Sequence, residues 1–238
     1  MTMLGVSRLS ILLYTLYTAL YFLLLMWGAR LWLAARRLST ALLLAVTFGV
    51  FYDNLILALG NVLGAGELLW ALSLPRFVLH QLVLPWIILA MVELARQAGQ
   101  GWAQPRGAFW GGVILSAVVM LAGVATRLAT LTLAPAVMDG VVRYVAEGVS
   151  GPPIVSIVSI GFAGVVGLGF WRTNRWPWIT VAVVLAFIGE SIPDEAWRRA
   201  VGSAFEVVLM AVLLLTQQRV DNGQLEQRLR HAADAPTR

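Results

Sequence analysis

Five ionisable side chains, Asp53, Arg76, His80, Glu190 and Glu206, interrupt long apolar stretches of the chain. A charge at the centre of a membrane-spanning helix costs about 3 kcal/mol on insertion scales. Five such groups left unpaired would cost on the order of 10 kcal/mol or more. They must therefore pair with one another, change protonation state or face water. Three carboxyls against one fixed guanidinium leave an excess of acid, so at least one carboxyl must be protonated, share a proton or pair with His80 as imidazolium. Arg76 is the natural bidentate partner for Asp53 or Glu190.

Three kinds of function use such a set. The leading reading is a polar, ionisable pocket that binds a small polar ligand, a lipid headgroup or a proton. The second is an intramembrane lipid-modifying enzyme, with Asp53, His80 and Glu190 as acid–base groups and Arg76 holding an anionic headgroup. The third is a non-catalytic scaffold whose buried polar cluster only fixes helix packing. A metal held by His80 and the three carboxylates is a sharper alternative. The other histidine, His231, lies in the tail, so His-rich zinc chemistry does not fit and no metal site is assigned. No motif marks a nucleophilic serine.

The surrounding residues decide where these groups sit. The chain is 60% hydrophobic and 12% charged, with a mean hydropathy of +0.82, far from ordinary soluble domains. Its apolar runs are long enough to cross a hydrocarbon layer of about 30 Å. Seven spans are expected, at about Ser10 to Ala29, Ser39 to Gly60, Ser73 to Ala95, Ala108 to Thr126, Pro153 to Trp171, Trp176 to Pro193 and Ala200 to Gln217. The expected fold is thus an all-α, polytopic seven-helix bundle over residues 1–217, followed by a cytoplasmic tail, 218–238. The first run is long and lacks a small-residue cleavage site, so no cleavable signal peptide is expected.

All 17 basic residues are arginine and there is no cysteine. Disulfides and thiolate catalysis are excluded, as is any lysine Schiff base. More of the arginines fall in the first, third and fifth connections and the tail than on the opposite side, which places the N-terminus outside and the C-terminus in the cytoplasm. Trp32, Trp86, Trp102, Trp110, Trp171, Trp176 and Trp178 are expected mostly near the inner ends. The arginines at helix ends account for the net charge of +5, so nucleic acid is not an expected partner. The expected partners are the lipid bilayer and a small-molecule or lipid ligand, in a multi-pass prokaryotic plasma-membrane protein. Nothing sets an oligomeric state.

Helix periodicity gathers the polar groups. Ala45, Gly49, Asp53 and Gly60 form a lane of small residues on the second span, suited to close packing. Arg76 and His80 lie one turn apart on the third, followed by Gln81 and by Pro85, where a kink could open space. Glu190 and Glu206 belong to the last two spans, with Glu206 on one face with Arg199, Ser203, Met210, Leu213 and Gln217. All five charges fall in the outer half. Secondary candidates are Asn54, Ser191, Asp194 and the stripe Tyr14, Tyr17 and Tyr21, which aromatic core packing also explains. Between Pro135 and Gly148, five apolar residues share one helical face while Asp139, Arg143 and Glu147 repeat at i, i+4 on the other. A short amphipathic helix on the outer surface is expected there, as connector or lid. Seven spans with the N-terminus outside are similar to the rhodopsins in topology alone. Without lysine, covalent retinal is excluded as a cofactor, and no motif names another.

Overall fold

The computed structural model describes residues 3–148 and 151–233, which form eight α-helices and one β-hairpin. Helices α1 (Met3–Ala35), α2 (Leu38–Leu63), α5 (Arg106–Gly123), α6 (Ile154–Asn174) and α8 (Glu195–Ala233) account for five segments long and apolar enough to cross a membrane. The expected third span is two helices, α3 (Glu67–Val83) and α4 (Trp86–Gln97), bent by 42°. Pro85 stands at the break, where it cannot donate to the preceding turn. Counted as one span, the pair brings the total to six. Helix α7 (Trp178–Glu190) is apolar but only 13 residues long, about 20 Å at 1.5 Å per residue and short of a bilayer core of roughly 30 Å.

The molecule's outer surface agrees with this reading. Leu12, Leu23, Ile114, Leu121 and Val165 are each at least 60% exposed, a pattern that water would penalise and lipid accepts. This is an all-α, multi-pass membrane architecture in all but one element.

Packing centres on α4. Eight of its residues, from Ile87 to Ala95, are buried, because the helix is enclosed by α2, α5, α6 and α8. Helix α6 meets α7 closely at Gly167, where a Cβ would stand 3.0 Å from the backbone nitrogen of Thr180. Ala45, by contrast, is exposed, so the lane on α2 is not a continuous helix contact. Trp86 also departs from expectation, since it lies at the α3–α4 bend in the middle of the expected third span.

At the end away from the hairpin, three side chains close a ring. Ser39 donates to Gln217 at 2.6 Å, Gln217 to Gln97 at 2.8 Å, and Gln97 to Ser39 at 2.9 Å. Each satisfies another, which makes a buried polar set affordable in apolar surroundings. Arg37 extends the ring by pairing with Asp221 at 3.4 Å.

The segment expected to be an amphipathic helix is instead an antiparallel hairpin, β1 (Thr132–Met138) and β2 (Val141–Glu147). Asp139 and Gly140 turn it with φ of 54° and 75°, the positive values that a two-residue type I′ turn requires. A helix would have needed Gly140 at its centre and a run of β-branched valines, both unfavourable. The charge ladder is consequently not formed. Asp139 pairs with Arg199, and Arg143 bonds to Tyr14.

Two neighbours on α2 dock the hairpin. Asn61 donates its amide to the Gly140 carbonyl at 2.8 Å and accepts from the Val142 nitrogen at 2.6 Å. Gly60 makes the approach possible, since a Cβ there would lie 1.9 Å from the Val142 carbonyl oxygen. Gly60→Ala should therefore lift the hairpin and destabilise the protein by about 1–3 kcal/mol, the scale of forced overpacking. Gly161→Ala on α6, where a Cβ meets no atom within 4 Å, should leave stability unchanged. Thermal unfolding in detergent, with hydrogen exchange over the hairpin, distinguishes the two.

Candidate functional site

Bending the chain at Pro85 and laying the hairpin across the helix ends leaves a cavity of about 380 Å³. Asp53, Arg76, His80, Glu190 and Glu206 all line it. Four groups of elements contribute its walls, and each brings a different polar arrangement.

On the α2–α3 side, Arg76 Nε donates to Asp53 Oδ1 at 2.7 Å. The guanidinium side is only 10% exposed and the carboxylate 39%. Its other terminal nitrogen, Nη1, is buried without a protein partner. This is the pairing the residue types suggested, with Asp53 and not Glu190 as the acceptor.

On the α7–α8 side, Glu190 ends α7 and lies across α8. Its Oε1 is 2.9 Å from where a Cβ on Gly202 would stand, so the missing side chain of Gly202 makes room for this carboxyl. Glu206 follows Gly202 by one helical turn, on the stretch that also presents Ser203. Glu190 lies within the electrostatic reach of Arg198, and Glu206 within that of Asp53 and Glu190.

The hairpin supplies Arg143. It is buried, donates from Nη2 to the Tyr14 hydroxyl at 3.2 Å, and sets its guanidinium carbon 5.3 Å from the Tyr14 ring centre. Arg143 Nε is also buried without a partner. Arg199 from α8 borders the cavity and binds Asp139 in the hairpin turn at 2.8 Å. That bond ties the hairpin to α8 from the side opposite Gly60 and Asn61.

The fourth wall is Phe77, His80 and Gln81, shared with a second cavity of about 200 Å³. His80 Nε2 and Ser156 Oγ are 3.1 Å apart. The second cavity also touches Arg127, on a π-helical turn at Val124–Leu128. Arg127 donates to the carbonyls of Gly151 and Pro152 at 2.7 and 2.9 Å, which engages it structurally. Among the described residues, no three His, Asp or Glu side chains converge as a metal's ligand set.

The secondary candidates divide. Tyr14 and Gln81 border the cavity. Tyr17 instead donates to the Ala200 carbonyl at 2.8 Å, and Tyr21 is fully buried in the helix core. Asn54 is turned inward and donates to the Val50 carbonyl of its own helix at 2.9 Å. Ser191 likewise bonds back to Phe187. Asp194 accepts from the Trp197 nitrogen at 2.9 Å, which caps α8 and satisfies a free donor of its first turn. Arg143, Arg199 and Ser203 belong to the cavity but were not among the expected site residues. The signal for Arg143 was present: Asp139–Gly140 between alternating valines is a strong hairpin mark.

Compared with known proteins, the chain matches no family model and no curated protein sequence.

The Asp53–Arg76 pair makes an asymmetric prediction. Asp53→Ala strands a charge that is 10% exposed and should cost about 3 kcal/mol, as for other buried pairs cut on one side. Arg76→Ala leaves a carboxylate that is 39% exposed and can recruit water, so about 1–2 kcal/mol is expected. The double variant should be more stable than Asp53→Ala. Denaturation of all four proteins in one detergent closes the cycle.

Proposed function

We propose that the chain is a multi-pass plasma-membrane protein of prokaryotic type whose cavity binds a small polar ligand or lipid headgroup from the outer side. The observation that carries this reading is one cavity of about 380 Å³ bordered by Asp53, Arg76, His80, Arg143, Glu190, Arg199 and Glu206, seven ionisable groups contributed from α2, α3, α7, α8 and β2. Its volume lies at the low end of the roughly 300–1,000 Å³ typical of ligand sites. The alternative of a through-path is disfavoured by what lies beneath. Leu43, Met91, Leu94, Leu213 and Leu214 are fully buried, a largely apolar layer between the cavity and the Ser39–Gln97–Gln217 ring in which Thr47 bonds its own helix at the Leu43 carbonyl.

In this proposal the bilayer is crossed seven times, with α3 and α4 as one bent span and α7 as a short one. The hairpin end faces outward and the C-terminal part of α8 faces the cytoplasm, following the arginine distribution. The absence of cysteine gives this a clean check. A cysteine introduced by Ala65→Cys, between α2 and α3, should react with an impermeant maleimide in intact cells. Gly101→Cys and Gln227→Cys should react only after lysis. Labelling of Gly101→Cys from outside would reverse the orientation.

Native mass spectrometry of the purified protein tests the pocket itself. The wild type should retain a small molecule or lipid that Arg76→Ala and Glu206→Ala lose while keeping their folds. If single variants misfold uniformly and charge-paired double variants recover, the polar groups serve packing and the scaffold reading replaces this one.

A further inference from the structure

The cavity's charges are not all spent on one another. Arg76 is paired with Asp53 and Arg199 with Asp139, so those two pairs are neutral. Arg143 then remains against Glu190 and Glu206, the first engaged only by the uncharged Tyr14 hydroxyl and ring. Two buried guanidinium nitrogens, Arg76 Nη1 and Arg143 Nε, have no protein partner. Both side chains border the cavity and are nine-tenths buried or more. A buried donor left unmet costs about 1–3 kcal/mol, more when charged, so these nitrogens mark a place for an acceptor.

An anion alone would meet those donors but offer no hydrogen-bond donor to the carboxyls of Glu190 and Glu206. A cation alone would suit Glu190 and Glu206 yet leave the guanidinium nitrogens unsatisfied. Only an occupant with both charges answers both walls. The two poles also stand on different elements, Arg76 and Arg143 on α3 and β2, and the glutamates on α7 and α8. Leu84, Ile87, Ile160, Leu209 and Met210 add an apolar floor of lining to the same cavity.

Building on the pocket reading above, we propose that the cavity recognises a zwitterion, with its anionic group at Arg76 and Arg143 and its ammonium at Glu190 and Glu206. A free amino acid and an ethanolamine phosphate headgroup share this chemistry. The apolar floor receives the side chain of the one or the first carbons of the other.

The test uses the full chain in phosphatidylglycerol nanodiscs, with calorimetric titration of four probes. Leucine and glycerophosphoethanolamine carry both charges, glycerol 3-phosphate the anion and ethanolamine the cation. At least one zwitterion should bind about tenfold or more tightly than either half, the scale of one charge-assisted hydrogen bond. Glu190→Gln and Glu206→Gln, which keep shape and lose charge, should each weaken the zwitterion by about tenfold. Glu206→Asp and Arg143→Lys should keep part of the binding, which separates charge loss from misfolding. A free amino acid as occupant predicts leucine binding. A headgroup predicts glycerophosphoethanolamine binding, together with phosphatidylethanolamine retained in native mass spectra from mixed nanodiscs. If glycerol 3-phosphate binds as tightly as either zwitterion and the glutamine variants bind as wild type, the site is a simple anion site. That result overturns the zwitterion and leaves the pocket reading standing. If no probe binds and no molecule is retained, both fall.

Discussion

A carboxylate and a guanidinium meeting at 2.7 Å between α2 and α3 set the terms for the rest of this end of the molecule. In lipid-like surroundings neither charge can stand alone, so the two helices are fixed in register wherever Asp53 and Arg76 must meet. Once they meet, the bend at Pro85 carries α4 away into the centre of the bundle. The space left between the diverging elements is the cavity. Arg76 satisfies Asp53 with its Nε and keeps Nη1 buried without a protein partner.

The hairpin completes the enclosure, and its placement depends on absences as much as on contacts. Gly60 lets β2 approach to a distance no side chain would allow, and Gly202 gives the same freedom to Glu190. Asn61 replaces the missing strand neighbour by offering both a donor and an acceptor to the turn. The Arg199–Asp139 bond closes the opposite side. A small sheet of two strands, marginal by itself, is held here by backbone pairing, a side-chain clamp and one ion pair.

Much of this was readable from the residues because lipid imposes simple rules. Long apolar runs had to be helices, since no other single segment satisfies its own backbone. Counting turns along those helices gathered Asp53, Arg76, His80, Glu190 and Glu206, and all five border one cavity. The 135–148 segment was misread because its valines satisfy a helical and a strand period at once. Only Asp139–Gly140 distinguished them. Asn54, Ser191 and Asp194 were read as candidates by proximity in sequence, yet short polar side chains readily bond their own backbone. The length of α7 was overestimated because Ser191 to Pro193 continue the apolar neighbourhood without continuing the helix. Arg143 and Arg199 needed the tertiary arrangement, since their partners lie 129 and 60 residues away.

Helix α8 runs without a proline or a break for 39 residues, about 58 Å at 1.5 Å per residue. Arg199 and Glu206 lie near one end, and Gln217 and Asp221 beyond the apolar layer. A rod of this kind has no joint between its two sets of contacts, so they share one degree of freedom. Any twist that re-aims Glu206 also turns Gln217 against Ser39 and Gln97. The hydrogen-bond ring at one end is thereby tied, through one rigid helix, to the cavity-lining side chains at the other.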